Sequence, residues 1–203
     1  MAGTLPTTPK FQTLNIRSNN NTLTTRSMSG RVQAKSLFTQ YWSFTASYPV
    51  GTRADFGELM AFIVKQRGQY ETFTAILPDY SNTQGALTTE TLAIDNVGGY
   101  SQGNNTLAVD ATTNSVTGAL KAGDFINFTN HNKVYMVLED VDIDLSGNGT
   151  LKIEPSLISS VPDGQTIQYN AVQFTCRLSG DAQEFTTGVA GTVKYELDII
   201  EDL

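Results

Sequence analysis

Residues 40–49, QYWSFTASYP, place Trp42, Phe44, Ala46 and Tyr48 on one face of an extended chain and Tyr41, Ser43, Thr45 and Ser47 on the other. A strict period of two commits such a segment to a sheet with one buried face. The same period returns in YETFTAIL (70–77), where Phe73, Ala75 and Leu77 point one way before Pro78 and Asp79 end the run. It returns again in VQFTCRL, with Val172, Phe174, Cys176 and Leu178 on one side, and in GTVKYELDII, with Val193, Tyr195, Leu197 and Ile199 on one side. A chain patterned in this way is mainly β.

One segment breaks the period. GTRADFGELMAFIVKQRG (51–68) spaces Phe56, Leu59, Met60, Ile63 and Val64 for a helix, with Thr52 as N-cap, Asp55 three residues on and Gly68 as the stop. The spacing predicts one amphipathic helix whose apolar stripe lies on a sheet. Between Ser81 and Asn170 the chain becomes a series of short strands and turns, including GNNTLAVD, GDFINF, KVYMVLEDV and TLKIEP, with SGNG (146–149) as a hairpin turn. Short, evenly spaced strands over this length predict a small barrel or sandwich.

The outer pieces read as two parts of one β-sandwich. The first has a helix and strands but no natural end, and the last has two strands with nothing of their own to pack on. The expected organisation is therefore a discontinuous sandwich domain, 1–80 with 171–203, carrying an inserted barrel domain at 81–170. No internal repeat of fixed period and no linker-length low-complexity segment is evident.

Charge limits the partners. Charged residues make up only 16% of the chain, well under the roughly 25% of ordinary soluble domains, which lowers repulsion between copies and favours assembly. The formal charge of -7 offers no Lys/Arg face for neutralising phosphates, so nucleic acid is not an expected specific ligand. No run approaches the roughly 18 apolar residues of a membrane span, and MAGTLPTTPK lacks a charged n-region and an apolar h-region. The expectation is a chain that neither spans a membrane nor uses that secretory route. The single cysteine, Cys176, cannot form an internal disulfide and reads as a buried thiol.

Candidate chemistry is sparse. GYSQG (99–103) matches G-x-S-x-G with Ser101 at the nucleophile position, and Asp110 or Asp124 followed by His131 gives the hydrolase order. The context argues against it: DNVGG precedes and NNTLAVD follows, where a nucleophile elbow needs a strand and then a helix. EDVDIDLSG spaces Asp140, Asp142 and Asp144 as a calcium loop does, but Leu145 stands where the loop needs Gly and Leu151 where it needs Glu. Read as a strand, it turns Val141, Ile143 and Leu145 inward and leaves the aspartates wet. Gly98, Gly99 and Gly103 are followed by no G-K-[ST] and read as turn residues. Sequons at Asn20, Asn104, Asn127 and Asn148 mean little without a secretory signal. Trp42 and Tyr135 have the chemistry to stack on sugars, though packing is the commoner use. His131, fenced by Asn130 and Asn132, falls at a hairpin tip between Phe125–Phe128 and Val134–Leu138, where a lone imidazole is expected to be solvated.

The order of SGRVQAKSLFTQYWSFTASYP, the helix running into FIVKQRGQYETFTAILPDY, the insert with KAGDFINF and HNKVYMV, then TLKIEPSL and VQFTCRLSGD resembles the distal tail proteins of long-tailed bacteriophages. Within that family it is similar to the coliphage type, which carries an OB-fold-like barrel inserted in a β-sandwich. The resemblance covers nearly the whole chain, including the insertion point after LPDY. It implies a non-enzymatic, cofactor-free virion protein of the tail tip, assembled in the host cytoplasm. The implied homohexameric ring joins the tail tube protein to the baseplate hub protein, and DNA passes through its lumen without specific binding. It further implies that Arg31, Gln33, Lys35, Gln40 and Tyr41 lie in the ring-forming sheet, and that the 181–188 loop, with Asp181, Gln183 and Glu184, lies at a subunit boundary. The insert would face outward, toward tail fibres, a collar protein or a host glycan. Two readings compete: a carbohydrate-binding module working through the barrel, and a hydrolase centred on Ser101. Ring formation, glycan binding and ester turnover separate the three.

Overall fold

A computed structural model describes residues 3–37, 39–188 and 191–203. The chain divides into two compact units, residues 1–75 with 175–203 and residues 76–174.

The first unit begins with β1 (Thr13–Asn19), a hairpin of β2 (Thr22–Arg26) and β3 (Val32–Ser36), then β4 (Tyr41–Ser47) and β5 (Gly51–Thr52). The helix α1 (Arg53–Lys65) and strand β6 (Phe73–Ile76) follow. Trp42, Phe44, Ala46 and Tyr48 are all buried, as their spacing requires. Helix α1 starts in a full capping box: the Asp55 N–H donates to Thr52 Oγ1 (3.4 Å) and the Thr52 N–H to Asp55 Oδ2 (2.8 Å). Arg67 and Gly68 both take positive φ just after the helix, so the stop at Gly68 is a left-handed terminus. Phe56, Leu59 and Ile63 are buried, and Phe56 meets Tyr48 edge-on at 5.9 Å. The expected apolar stripe is narrower than its spacing suggests. Met60 is half-buried and Val64 is 71% exposed, because the three inward residues already fill the face that meets the sheet.

The second unit contains β7 (Leu92–Ile94), β8 (Thr106–Ala111), β9 (Val116–Leu120), β10 (Phe125–Phe128), β11 (Val134–Val137), β12 (Val141–Ile143), β13 (Asn148–Glu154) and β14 (Thr166–Gln168). Six of these close a barrel in the order β10-β11-β13-β8-β7-β14, while β9 and β12 form a separate antiparallel pair. Closure leaves the barrel no free edge. Its core includes Leu92, Val109, Ile126, Phe128, Tyr135, Val137, Leu151, Ile153 and Ile167. On β12, Val141 and Ile143 point inward as expected. Leu145 is 81% exposed, because the strand ends at Ile143 and the chain turns at Asp144, whose carboxylate accepts the N–H groups of Ser146 (2.7 Å) and Asn148 (2.9 Å).

The chain then enters β15 (Gln173–Leu178), β16 (Thr186–Thr187), β17 (Thr192–Lys194) and β18 (Glu196–Glu201). Strands β1-β4-β18-β15-β6 form a five-stranded sheet, so the strands that lead into and out of the 76–174 region, β6 and β15, are neighbours in it. β16-β17-β5 form a second sheet. GTVKYELDII is thus two strands. The chain changes sheet at Tyr195, and the inward alternation of Val193, Tyr195, Leu197 and Ile199 continues across the change. Cys176 is fully buried on β15, and burial pushes its thiol pKa well up. Phe174, expected in the sandwich core, meets Phe125 edge-on at 5.4 Å and belongs with the second unit. Among the described residues no helix is long and apolar enough to cross a membrane.

Candidate functional site

Of the residues that offered enzymatic chemistry, His131 and Asp124 are engaged in holding the barrel unit together, while Ser101 and Asp110 are exposed. His131 lies in the β10–β11 turn, but it is half-buried, not solvated, since its ring stacks on Phe128 (5.7 Å) and meets Tyr135 edge-on (5.6 Å). Its Nδ1 is 2.7 Å from Asn130 Oδ1 and its Nε2 is 2.7 Å from the Tyr135 hydroxyl. Burial, with the Lys133 charge second, pushes the imidazole pKa below its ordinary value. Ser101 is exposed, and its carbonyl accepts from the Asn104 side chain at 2.9 Å. Asp124 is buried and accepts the N–H groups of Gln84 (2.9 Å) and Lys121 (2.8 Å) and the Thr83 hydroxyl, while Asp110 is exposed on β8. Both nitrogens of His131 already face Asn130 and Tyr135, so Ser101, the aspartates and the imidazole are not assembled into a triad.

The three aspartates of the calcium-like run are likewise occupied. Asp140 pairs with Lys121 at 2.6 Å, Asp142 accepts the Gly118 N–H at 2.6 Å, and Asp144 closes its turn. The Lys121 hydrogen bond is the main cause holding the Asp140 carboxyl below the usual range. Among the described residues no group of three or more His, Cys, Asp or Glu side chains could hold a metal ion. Gly98, Gly99 and Gly103 all take positive φ, which suits turns. Trp42 and Tyr135 are buried and cannot act as sugar-stacking platforms.

The residues implied as an assembly surface fall into two groups, both in the first unit. Arg31, Gln33 and Lys35 lie on the β2–β3 hairpin, a two-stranded sheet of its own, not in the five-stranded sheet. Its register pairs Leu23 with Lys35, Thr25 with Gln33 and Arg26 with Val32. Residues 20–37 are all exposed, so neither face of the hairpin rests on a core. Tyr41 begins β4 and lines a shallow recess with Arg17, Asn19 and Asp198. Gln40 is buried at 2% exposure, its Nε2 donating to Ser18 Oγ at 3.0 Å and its Oε1 without a partner.

The second group surrounds a cleft of about 490 Å³. Gln183 bridges it, donating from Nε2 to the Gly180 carbonyl (3.0 Å) and accepting at Oε1 from the Tyr195 hydroxyl (2.8 Å). Phe185 stacks on Tyr195 at 4.4 Å and steadies the loop. Asp181 turns away, accepting the Gln69 N–H at 3.0 Å. Glu184 lines the cleft and is joined there by Lys194, Glu196 and Asp198. Glu196 and Asp198 did not figure among the expected site residues. Their signal was the outer face left by the alternation that buries Val193, Tyr195, Leu197 and Ile199.

Residues 83–172, which include the whole closed barrel, match the family model described as distal tail protein pb9, B domain. The chain is also 23% identical over 184 residues to the distal tail protein pb9 of Escherichia phage T5, an alignment covering 90% of this chain and 86% of that protein.

Proposed function

We propose that this chain, which belongs to the distal tail protein family and is a structural component of a phage tail, forms a six-membered ring at the tail tip. The ring joins the tube to the baseplate hub and leaves a channel for DNA. Its work is architectural: it holds neighbours in register and lets the genome pass. The observation that carries the ring is the β2–β3 hairpin. Two strands with no core under either face are at best marginally stable in water, so an extension of this kind gains its order from a neighbour. In this reading the 1–75 and 175–203 unit forms the ring, and the barrel unit faces outward toward fibre or collar proteins.

Electron microscopy of the purified chain mixed with tube and hub proteins tests the proposal. The expected particle is a ring with a central hole, capped on its two faces by the two partners. Solitary chains bound to neither partner would refute it.

A further inference from the structure

The first 54 residues contain no aspartate or glutamate but carry Lys10, Arg17, Arg26, Arg31, Lys35 and Arg53, in a chain whose net charge is -7. Three of these cations, Arg26, Arg31 and Lys35, sit on the exposed hairpin, and among the described residues none of the three has an ion-pair partner. Arg26 and Arg31 flank the turn at its tip, where Met28 is fully exposed. The cleft of about 490 Å³ has the opposite character: the exposed Glu184, Glu196 and Asp198 line it, opposed by Lys194 alone.

We infer that the β2–β3 tip of one copy docks in the Glu184–Glu196–Asp198 cleft of a second copy, with Arg26 and Arg31 facing the carboxylates. This rests on the ring reading above and adds which surface meets which. A ring is closed by a heterologous contact, in which every copy must present two different and complementary surfaces. This chain presents both: a cationic arm free of carboxylates and an anionic recess. A five-residue strand is roughly 17 Å long, enough to reach across a subunit boundary. Met28 at the tip brings a flexible thioether toward the half-buried Phe185 ring beside the cleft, a favourable pairing of sulfur with an aromatic ring. Gln183 and Tyr195 hold the recess in shape through their 2.8 Å hydrogen bond.

Charge reversal on the full chain tests the contact. One variant carries Arg26→Glu and Arg31→Glu, and the other carries Glu184→Lys and Glu196→Lys. All four side chains are exposed, so both variants should melt at the wild-type temperature, which controls for folding. In sedimentation velocity, each variant alone should self-associate about tenfold or more weakly than wild type, since like charges now face each other. An equimolar mixture should recover wild-type association, because each reversed arm then finds a reversed cleft. Wild-type association by either variant alone, or a mixture no better than its components, overturns the contact while leaving the ring reading standing. A wild-type chain that stays monomeric with tube and hub proteins present overturns both.

Discussion

The buried hydroxyl of Tyr135 lies 2.7 Å from Nε2 of His131, and the same oxygen accepts the Ile158 N–H at 3.2 Å. With the Ile158 N–H donating to the oxygen and the hydroxyl donating to Nε2, the ring carries its proton on Nδ1, where Asn130 Oδ1 receives it. The imidazole is then a neutral structural piece of the β10–β11 turn. Both ring nitrogens are then engaged within the turn.

That arrangement makes barrel stability depend on pH. The folded pKa of His131 is lowered from 6.5, so the unfolded chain takes up the proton first as pH falls. The contribution is fully present above about pH 6.5 and declines below it. Unfolding followed between about pH 7 and 5.5 should show decreasing stability, and His131→Gln should flatten that slope. Titration of the single imidazole by NMR gives the direct check. A midpoint at or above 6.5 would contradict the burial described here.

Helix α1 should depend on Leu59 and be indifferent to Val64. Leu59 is fully buried, and truncating it to Ala should cost on the order of 2–5 kcal/mol. Val64→Ala, at a site 71% exposed, should change stability by less than about 0.5 kcal/mol. Denaturant unfolding of the two variants measures both. Equal effects would mean that the helix presents a different face to the sheet.

Residues 76–174 should fold alone. Their barrel is closed, and its core from Leu87 to Tyr169 is drawn from within that span. The excised segment should give a dispersed NMR spectrum and one cooperative thermal transition. Replacing residues 82–169 by a short Gly/Ser linker is the harsher converse, since it takes Phe125 from Phe174. A second substitution, Phe174→Ser, should help that shortened chain by removing the exposed ring. A collapsed 76–174 segment without a cooperative transition would show that the two units share one core.

Sequence patterning carried much of this architecture, for identifiable physical reasons. The inward faces of QYWSFTASYP and VQFTCRL follow from two-residue alternation alone, and the capping box fixes where α1 begins. The change of sheet at Tyr195 was hidden because alternation depends on which face is buried and not on which strand supplies the hydrogen bonds. The burial of His131 was hidden because it depends on Phe128 and Tyr135 closing across a hairpin, which a polar tip does not advertise. The hairpin's isolation was also invisible, since TLTTR and VQAKS show no contrast between their faces. The cleft joins a loop at 181–185 to the outer face of β18, a juxtaposition that only the fold supplies.

Stoichiometry tests the central claim most directly. Native mass spectrometry of the chain with its tube and hub proteins, released from the partners by mild activation, should yield a species of about 132 kDa, six times the 22.0 kDa chain. A different copy number, or only 22.0 kDa chains bound to neither partner, would contradict the six-membered ring.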